Sequence, residues 1–290
     1  MEIILHLGLH CTDGEQLLRC LLRNKGALAP EGIVIPGPGS YRPVLRETIN
    51  RLQGATATPD MQEALLDAIV EQDNAERLIL SNENFLCAPD KVLSDGMLYP
   101  KADKLAWFAA LFPGAAMEAH FAIRNPATLL PALRARVDPV GFDVALAAAD
   151  GDGLSWTGVI ERMRTAAPNV PLTVWCDEDT PLIWPEAVRA VAGCAPDLPL
   201  EHLYDRVAEL MRPEGLERLT TYLDSHPPND EDHRRRIVSA FLDKYVPVEM
   251  LAVEPEIPGW TEDDVAALTE GYDADLAQIA AMPGVRLILP

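Results

Sequence analysis

The sequence predicts an α/β fold: a three-layer arrangement with a parallel sheet flanked by helices and a helical C-terminal extension. Three observations predict it. Short apolar runs alternate with amphipathic helical segments over the first two thirds of the 290 residues, the pattern of strand–helix–strand crossovers. After Pro199 the chain reads as helix almost throughout. Hydrophobic residues make up 48% of the chain, enough for a sizeable core. The expected division is an α/β unit over 1–200 and a helical extension over 201–290 packed on it.

Each element has its own signal. Glu2–Leu9 is an apolar strand, read as a strand and not as a signal peptide because it lacks a basic leader and a small-residue cleavage site. Thr12-Asp13-Gly14 opens a helix running to about Asn24, with Thr12 or Asp13 as N-cap. Gly32–Pro36 is a short β-rich segment, and Pro36-Gly37-Pro38-Gly39 predicts a loop. Helical patterns follow at Pro43–Leu52 and Pro59–Gln72. Arg77–Leu80 is a strand ending in Ser81-Asn82-Glu83-Asn84. Lys101–Phe112 is an amphipathic helix closed by Pro113-Gly114.

Met117–Ile123 is the next strand, and Arg124-Asn125-Pro126 begins a helix with Pro near its first position. Trp156–Ala166 is helical, and Pro171–Cys176 is a strand ending in Asp177-Glu178-Asp179. Helices are expected at Trp184–Val191, Leu203–Met211, Glu214–Leu223, Asp230–Tyr245 and Thr261–Met282, with Pro227–Asp232 a break before the last ones. Val285–Leu289 reads as an edge strand. In open parallel sheets ligands sit beyond the carboxyl ends of the strands. The segments His10–Gly14, Ser81–Asn84, Arg124–Thr128 and Asp177–Asp179 are therefore the candidate site.

A net charge of −21 argues against nucleic acid as a partner, because phosphate contacts need clustered Lys and Arg. No run approaches the ~18 apolar residues of a membrane span. The five cysteines are widely spaced, with no C-x-x-C pair, which predicts free thiols in a reducing cytoplasm and no metal site. The acidic Asp177-Glu178-Asp179 run offers hard oxygen ligands, but three consecutive side chains do not point the same way. A Walker motif and a G-x-S-x-G elbow are both missing. His233-Arg234-Arg235-Arg236 is the strongest basic run and reads as a solvated helix face.

The segment His6-Leu7-Gly8-Leu9-His10-Cys11-Thr12-Asp13-Gly14-Glu15-Gln16-Leu17 is a strand, a Gly-bearing turn and a helix start, the arrangement that cradles phosphate on backbone N–H groups. It resembles the first strand and loop of a bacterial sulfotransferase-like family, H-[IL]-G-x-H-K-T-G-T-T-x-L. His6, Gly8, His10, Thr12 and Leu17 fall on that pattern. The resemblance implies a P-loop NTPase/sulfotransferase-like frame and 3′-phosphoadenylyl sulfate as the donor, held by Gly8, Thr12 and Gly14. Three departures bear on the chemistry: Cys11 replaces the family lysine, Asp13 the following glycine, and Gly14-Glu15 the two threonines. Asp13 and Glu15 bring carboxylates where a dianion would rest. The alternative for Asp13 is a cap that complements the helix dipole.

Leu80-Ser81-Asn82-Glu83 resembles the family's S-x-E, which implies Glu83 as general base on an acceptor hydroxyl, with His10 beside it as a further catalytic candidate. Glu83 bonded to loop backbone is the other reading. Ile123-Arg124-Asn125-Pro126 resembles the R-[ND]-P in which arginine grips the donor's 3′-phosphate. The serine expected eight positions later is Ala132. Arg124 paired with Glu83 or Asp177 is the alternative. Trp175–Asp179 resembles the family's Y-E-D-L unit, and Pro258-Gly259-Trp260-Thr261 through Tyr272 and Leu276 its C-terminal part. Lys101, Lys104 and Arg134 are candidates to replace the lost lysine. Two functions follow. One is sulfuryl transfer to a glycan or small-molecule hydroxyl. The other is a transfer-inactive protein that uses the inherited cleft to bind a ligand or a protein partner.

Overall fold

The computed structural model describes residues 1–70, 74–150, 152–247 and 257–290. Six strands form one parallel sheet: β1 (Glu2–His6), β2 (Ile33–Val34), β3 (Arg77–Ser81), β6 (Ala116–Ile123), β7 (Leu172–Cys176) and β8 (Val285–Ile288). Their order is β2-β3-β1-β6-β7-β8. A two-residue Asp95-Gly96 turn joins β4 (Leu93–Ser94) to β5 (Met97–Leu98) in a small antiparallel hairpin.

Parallel sheets must be covered on both faces, and the strands show it. Ile3, Leu5, Leu78, Leu80, Ala119, Phe121, Leu172 and Val174 point into one core, with α3 (Pro38–Leu52), α4 (Pro59–Ile69), α5 (Leu105–Leu111), α6 (Pro126–Arg134) and α8 (Trp156–Ala166) over it. Ile4, Ile79, Ala122 and Trp175 point the other way, under α1 (Gln16–Arg23) and α9 (Thr180–Ala192). This period-two split is the three-layer α/β architecture the apolar runs predicted.

The predicted strands at 77–80, 117–123, 171–176 and 285–289 are present within a residue or so, and β8 is the sheet edge. Other boundaries move. β1 ends at His6, because Gly8 turns with φ +49°. Helix α1 begins at Gln16 and not near Thr12, because Gly14 and Glu15 hold left-handed φ values of 54° and 67° that no helix continues through. Helix α3 begins at Pro38 in the segment expected to be a loop; Gly37 is extended and Pro38 supplies a preset φ at the first helical position. Helix α9 starts at Thr180, and α7 (Pro139–Ala147) was not expected. The end of the helix predicted at 59–72 lies outside the described residues.

The C-terminal chain contributes α10 (Asp205–Leu210), α11 (Pro213–Ser225), α12 (Glu231–Tyr245) and α13 (Glu262–Ala280). Helix α13 packs on α6 and α8 and leads into β8. Thr261 and Asp264 close a capping box at its start. The basic run on α12 is not a solvated face. Arg234 is only 4% exposed and donates to Glu186 at 2.8 Å and to the Leu182 carbonyl at 2.6 Å, and Arg235 pairs with the same Glu186. Burial of a guanidinium demands such partners, and these tie α12 to α9.

From β1 the chain runs to one side of the sheet, toward β2, whereas from β6 it runs to the other, toward β7. The strand order reverses between these two neighbours, so the loops after β1, β3 and β6 meet at one end of the sheet. Among the described residues no helix is long and apolar enough to cross a membrane.

Candidate functional site

The loop after β1 is built on backbone conformations that side chains disfavour. Gly8, Cys11, Gly14 and Glu15 all take left-handed φ, at 49°, 61°, 54° and 67°. Gly8 is required by its positive φ, since a Cβ there would make only ordinary contacts, 3.4 Å from the His6 ring and 3.7 Å from the Glu83 nitrogen. For Cys11 and Glu15 the conformation costs roughly 1–2 kcal/mol each. Such strain persists only where neighbours over-determine it.

The neighbours are three arginines. Arg124 donates from Nη1 to the Cys11 carbonyl at 2.6 Å and from Nε to Thr128 Oγ1 at 3.0 Å. Arg42 pairs with Glu15 at 2.7 Å while its Nε and Nη2 hold the Ser81 carbonyl. Arg136 grips both oxygens of Glu83, at 2.9 and 3.1 Å, and its charge opposes the rise of the Cys11 thiol pKa. The alternative pairing of Arg124 with Glu83 or Asp177 is not what forms. Asp177 is held by Arg206 at 3.2 Å.

The position at the start of α1 is filled from within. Asp13 is 3% exposed, and its carboxylate accepts from the Leu17 nitrogen at 2.9 Å. Thr12 turns its hydroxyl back to the Leu9 carbonyl at 2.6 Å. The amide of Gln16 donates to the Asp13 carbonyl, and that of Thr12 to the Leu9 carbonyl. A helix start offers its amides and its positive dipole end to an anion; here the anion is the chain's own carboxylate, as the capping alternative for Asp13 supposed.

His10 is fully buried. Its backbone nitrogen donates to the Tyr99 hydroxyl at 2.9 Å, its Nδ1 lies 3.1 Å from the same hydroxyl, and its Nε2 lies 3.4 Å from Asn84 Oδ1. The Tyr99 oxygen accepts from the amide, so its proton goes to Nδ1. Nε2 then carries the imidazole hydrogen and donates to Asn84, a tautomer inferred from the bonds and not observed. Burial lowers the His10 pKa, with the nearby Glu83 charge working against it. A neutral ring with both nitrogens engaged is a strut between the β1 loop and Tyr99.

Burial pulls the Glu83 carboxyl upward, but the Arg136 hydrogen bond and charge outweigh it and hold the group below its ordinary value. A base for a hydroxyl works best with a pKa near the operating pH, and Glu83 is moved away from it. The Cys11 thiol goes up with burial, with Arg136 and Arg124 opposing. Asp177 is pushed up to about 6 by burial despite Arg206.

The wider frame joins these parts. Tyr99 packs on Trp156 with ring centroids 5.8 Å apart. Trp156 Nε1 donates to the Arg124 carbonyl at 2.8 Å. Asp275 of α13 accepts from the Trp156 nitrogen and the Ser155 hydroxyl. Glu178 accepts from the Asn125 nitrogen at 2.7 Å and from the Tyr272 hydroxyl at 3.2 Å. That member of the acidic run therefore caps the start of α6.

His10, Glu83, Arg124 and Gly8 meet around the β1 loop, whereas Thr12 bonds to Leu9 within that loop and the Gly14 carbonyl accepts from Arg19. Sequence reasoning missed Arg42, Tyr99 and Arg136. Of the basic residues expected to stand in for the lost lysine, Arg134 is bidentate to Asp143 and Lys104 lies over Trp107. Arg124, on the Cys11 carbonyl, is the basic residue that bonds position 11. Tyr99 follows the Asp95-Gly96 hairpin, a turn signal the sequence carries openly. Arg136 had no local signal.

No protein-family model matches the chain, and no curated protein or solved structure matches it.

Proposed function

We propose that this chain is a binding protein of sulfotransferase-like architecture that does not transfer a sulfuryl group. The observation that carries the proposal is Asp13. Its buried carboxylate takes the α1 amide where a donor's phosphosulfate would rest, and a second anion there would meet like charge in a site of low dielectric. Cys11, with a raised thiol pKa, supplies no positive charge for a leaving oxygen. Glu83 and Arg124, the base and phosphate ligand that the resemblance implies, are engaged with Arg136 and the Cys11 carbonyl. What such a protein would bind is a small molecule or a protein partner at the strand-end cleft, and not 3′-phosphoadenylyl sulfate.

A second reading, a divergent sulfotransferase acting on a glycan or small-molecule hydroxyl, is favoured by one specific observation: Arg42, Arg124 and Arg136 all gather around the β1 loop. The two readings part on product release. The purified protein is incubated with 3′-phosphoadenylyl sulfate, with and without a panel of hydroxyl acceptors, and adenosine 3′,5′-bisphosphate is measured. The proposal expects release no faster than in buffer. Protein-dependent release that disappears in Glu83→Gln would sink it and establish the transferase.

A further inference from the structure

Beside the loop cluster, between α3, the β3 loop and α5, lies a cavity of about 570 Å³. Its charge is opposite to that of the molecule. Arg42, Arg46 and Lys104 line it and, among the described residues, no carboxylate does, in a chain whose net charge is −21. Arg42 is anchored by Glu15 and the Ser81 carbonyl. Arg46 and Lys104 form no ion pair among the described residues.

Arg42 and Arg46 stand at i and i+4 on α3, with the Arg42 charge balanced by Glu15, which leaves Arg46 and Lys104 as the cations of this wall available to a ligand. Acidic side chains are abundant in this chain, so the lack of one here is a local feature. An anion entering the cavity gains charge-assisted hydrogen bonds.

The remaining wall is apolar and aromatic. Phe85 and Phe108 meet edge to face with centroids 4.8 Å apart and are almost fully buried. The rim carries Asn84, which also faces His10. Cationic groups together with aromatic side chains in one cavity suit a flat ring bearing a carboxylate. The volume falls in the range of small-molecule sites.

We propose that this cavity binds an aryl carboxylate, its acid group between Arg46 and Lys104 and its ring against Phe85 and Phe108. The inference rests on reading the chain as a binding protein and supplies that reading with a site and a ligand class. The site draws on neither Asp13 nor Arg124.

The test is calorimetric titration with 2-naphthoate and its uncharged amide, 2-naphthamide, at low ionic strength. Naphthoate is expected to bind and the amide to bind at least tenfold more weakly. Arg46→Gln and Lys104→Gln, both at exposed or half-buried side chains, are each expected to weaken naphthoate about fivefold, and Arg46→Glu to abolish binding. Thermal unfolding confirms that each variant is folded. Equal affinity for acid and amide, unchanged affinity in the variants, or no binding of naphthoate at millimolar concentration each overturns the proposal. Nucleotide release from 3′-phosphoadenylyl sulfate is read separately, so a failed cavity and a failed binding-protein reading give different results.

Discussion

The Asp13 carboxylate lies 2.9 Å from the Leu17 backbone nitrogen, buried at the start of α1. One short contact thereby satisfies a helix-terminal amide that has no intrahelical partner and closes the place where an external anion would bind. Replacing Asp13 by Ala removes the bond while leaving the buried amide without a partner. The expected loss is about 1 kcal/mol, toward 2 because the site is buried, and Asp13→Ser should recover part of it. Urea unfolding of the two variants measures both. A neutral Asp13→Ala would show that the carboxylate is not what holds the helix start.

The pH dependence of stability has a sign that the buried histidines set. Burial lowers the pKa of His6, His10 and His120, against opposing carboxylates in each case. A histidine whose folded pKa lies below its unfolded value of about 6.5 contributes stability above that value and loses it as pH falls toward the folded pKa. Each gives a slope of up to about 1.4 kcal/mol per pH unit. Asp177, raised to about 6, runs the other way, because its folded form takes up a proton first as pH falls below 6. Three histidines outweigh it, so unfolding free energy should fall between pH 7 and 5.5. His6→Asn should flatten the slope. Stability that is level or rising across that interval contradicts the assignment.

Thiol chemistry should be slow. Burial pushes Cys20, Cys87 and Cys176 to about 12 and raises Cys11 as well, and the reactive species is the thiolate. Native protein at neutral pH should show these four thiols alkylating far more slowly than in urea, with peptide mapping to tell them from Cys194. Rapid modification of Cys11 would mean that Arg124 and Arg136 activate it and would reopen a catalytic role.

Arg234 is expected to matter more than its place in a basic run suggests. Its guanidinium is buried against Glu186 and the Leu182 carbonyl, so Arg234→Ala takes the donor from the Leu182 carbonyl and leaves Glu186 with Arg235 as its partner. A loss of about 2 kcal/mol is expected, whereas exposed Arg236→Ala should stay within about 0.5 kcal/mol. Comparable values for the two would remove the tie between α12 and α9.

The frame was legible because its signals are periodic and local. Apolar strands buried on both faces give continuous runs such as Ile3–Leu5 and Leu78–Leu80, and proline or glycine marks the ends of their helices. The gathering of His10, Glu83 and Arg124 was also legible, since strand ends of a parallel sheet meet at one edge. Their partners were not. The choice of Arg136 for Glu83, or of the Cys11 carbonyl for Arg124, depends on how segments 53 and 113 residues apart pack together, which no spacing encodes. Arg234 misled for the same reason: whether a basic helix face meets solvent or Glu186 is decided by packing. The left-handed turn at Gly14-Glu15 overrode a cap signal at Thr12, which moved the helix start to Gln16.

The most direct test of the closed β1 loop is calorimetric titration of the purified protein with adenosine 3′,5′-bisphosphate, at low ionic strength so that a weak anionic contact is not screened. With Asp13 in the helix start and Arg124 on the Cys11 carbonyl, no binding is expected up to millimolar nucleotide. Micromolar binding that is lost in Arg124→Ala would contradict the account and place a working donor site in this loop.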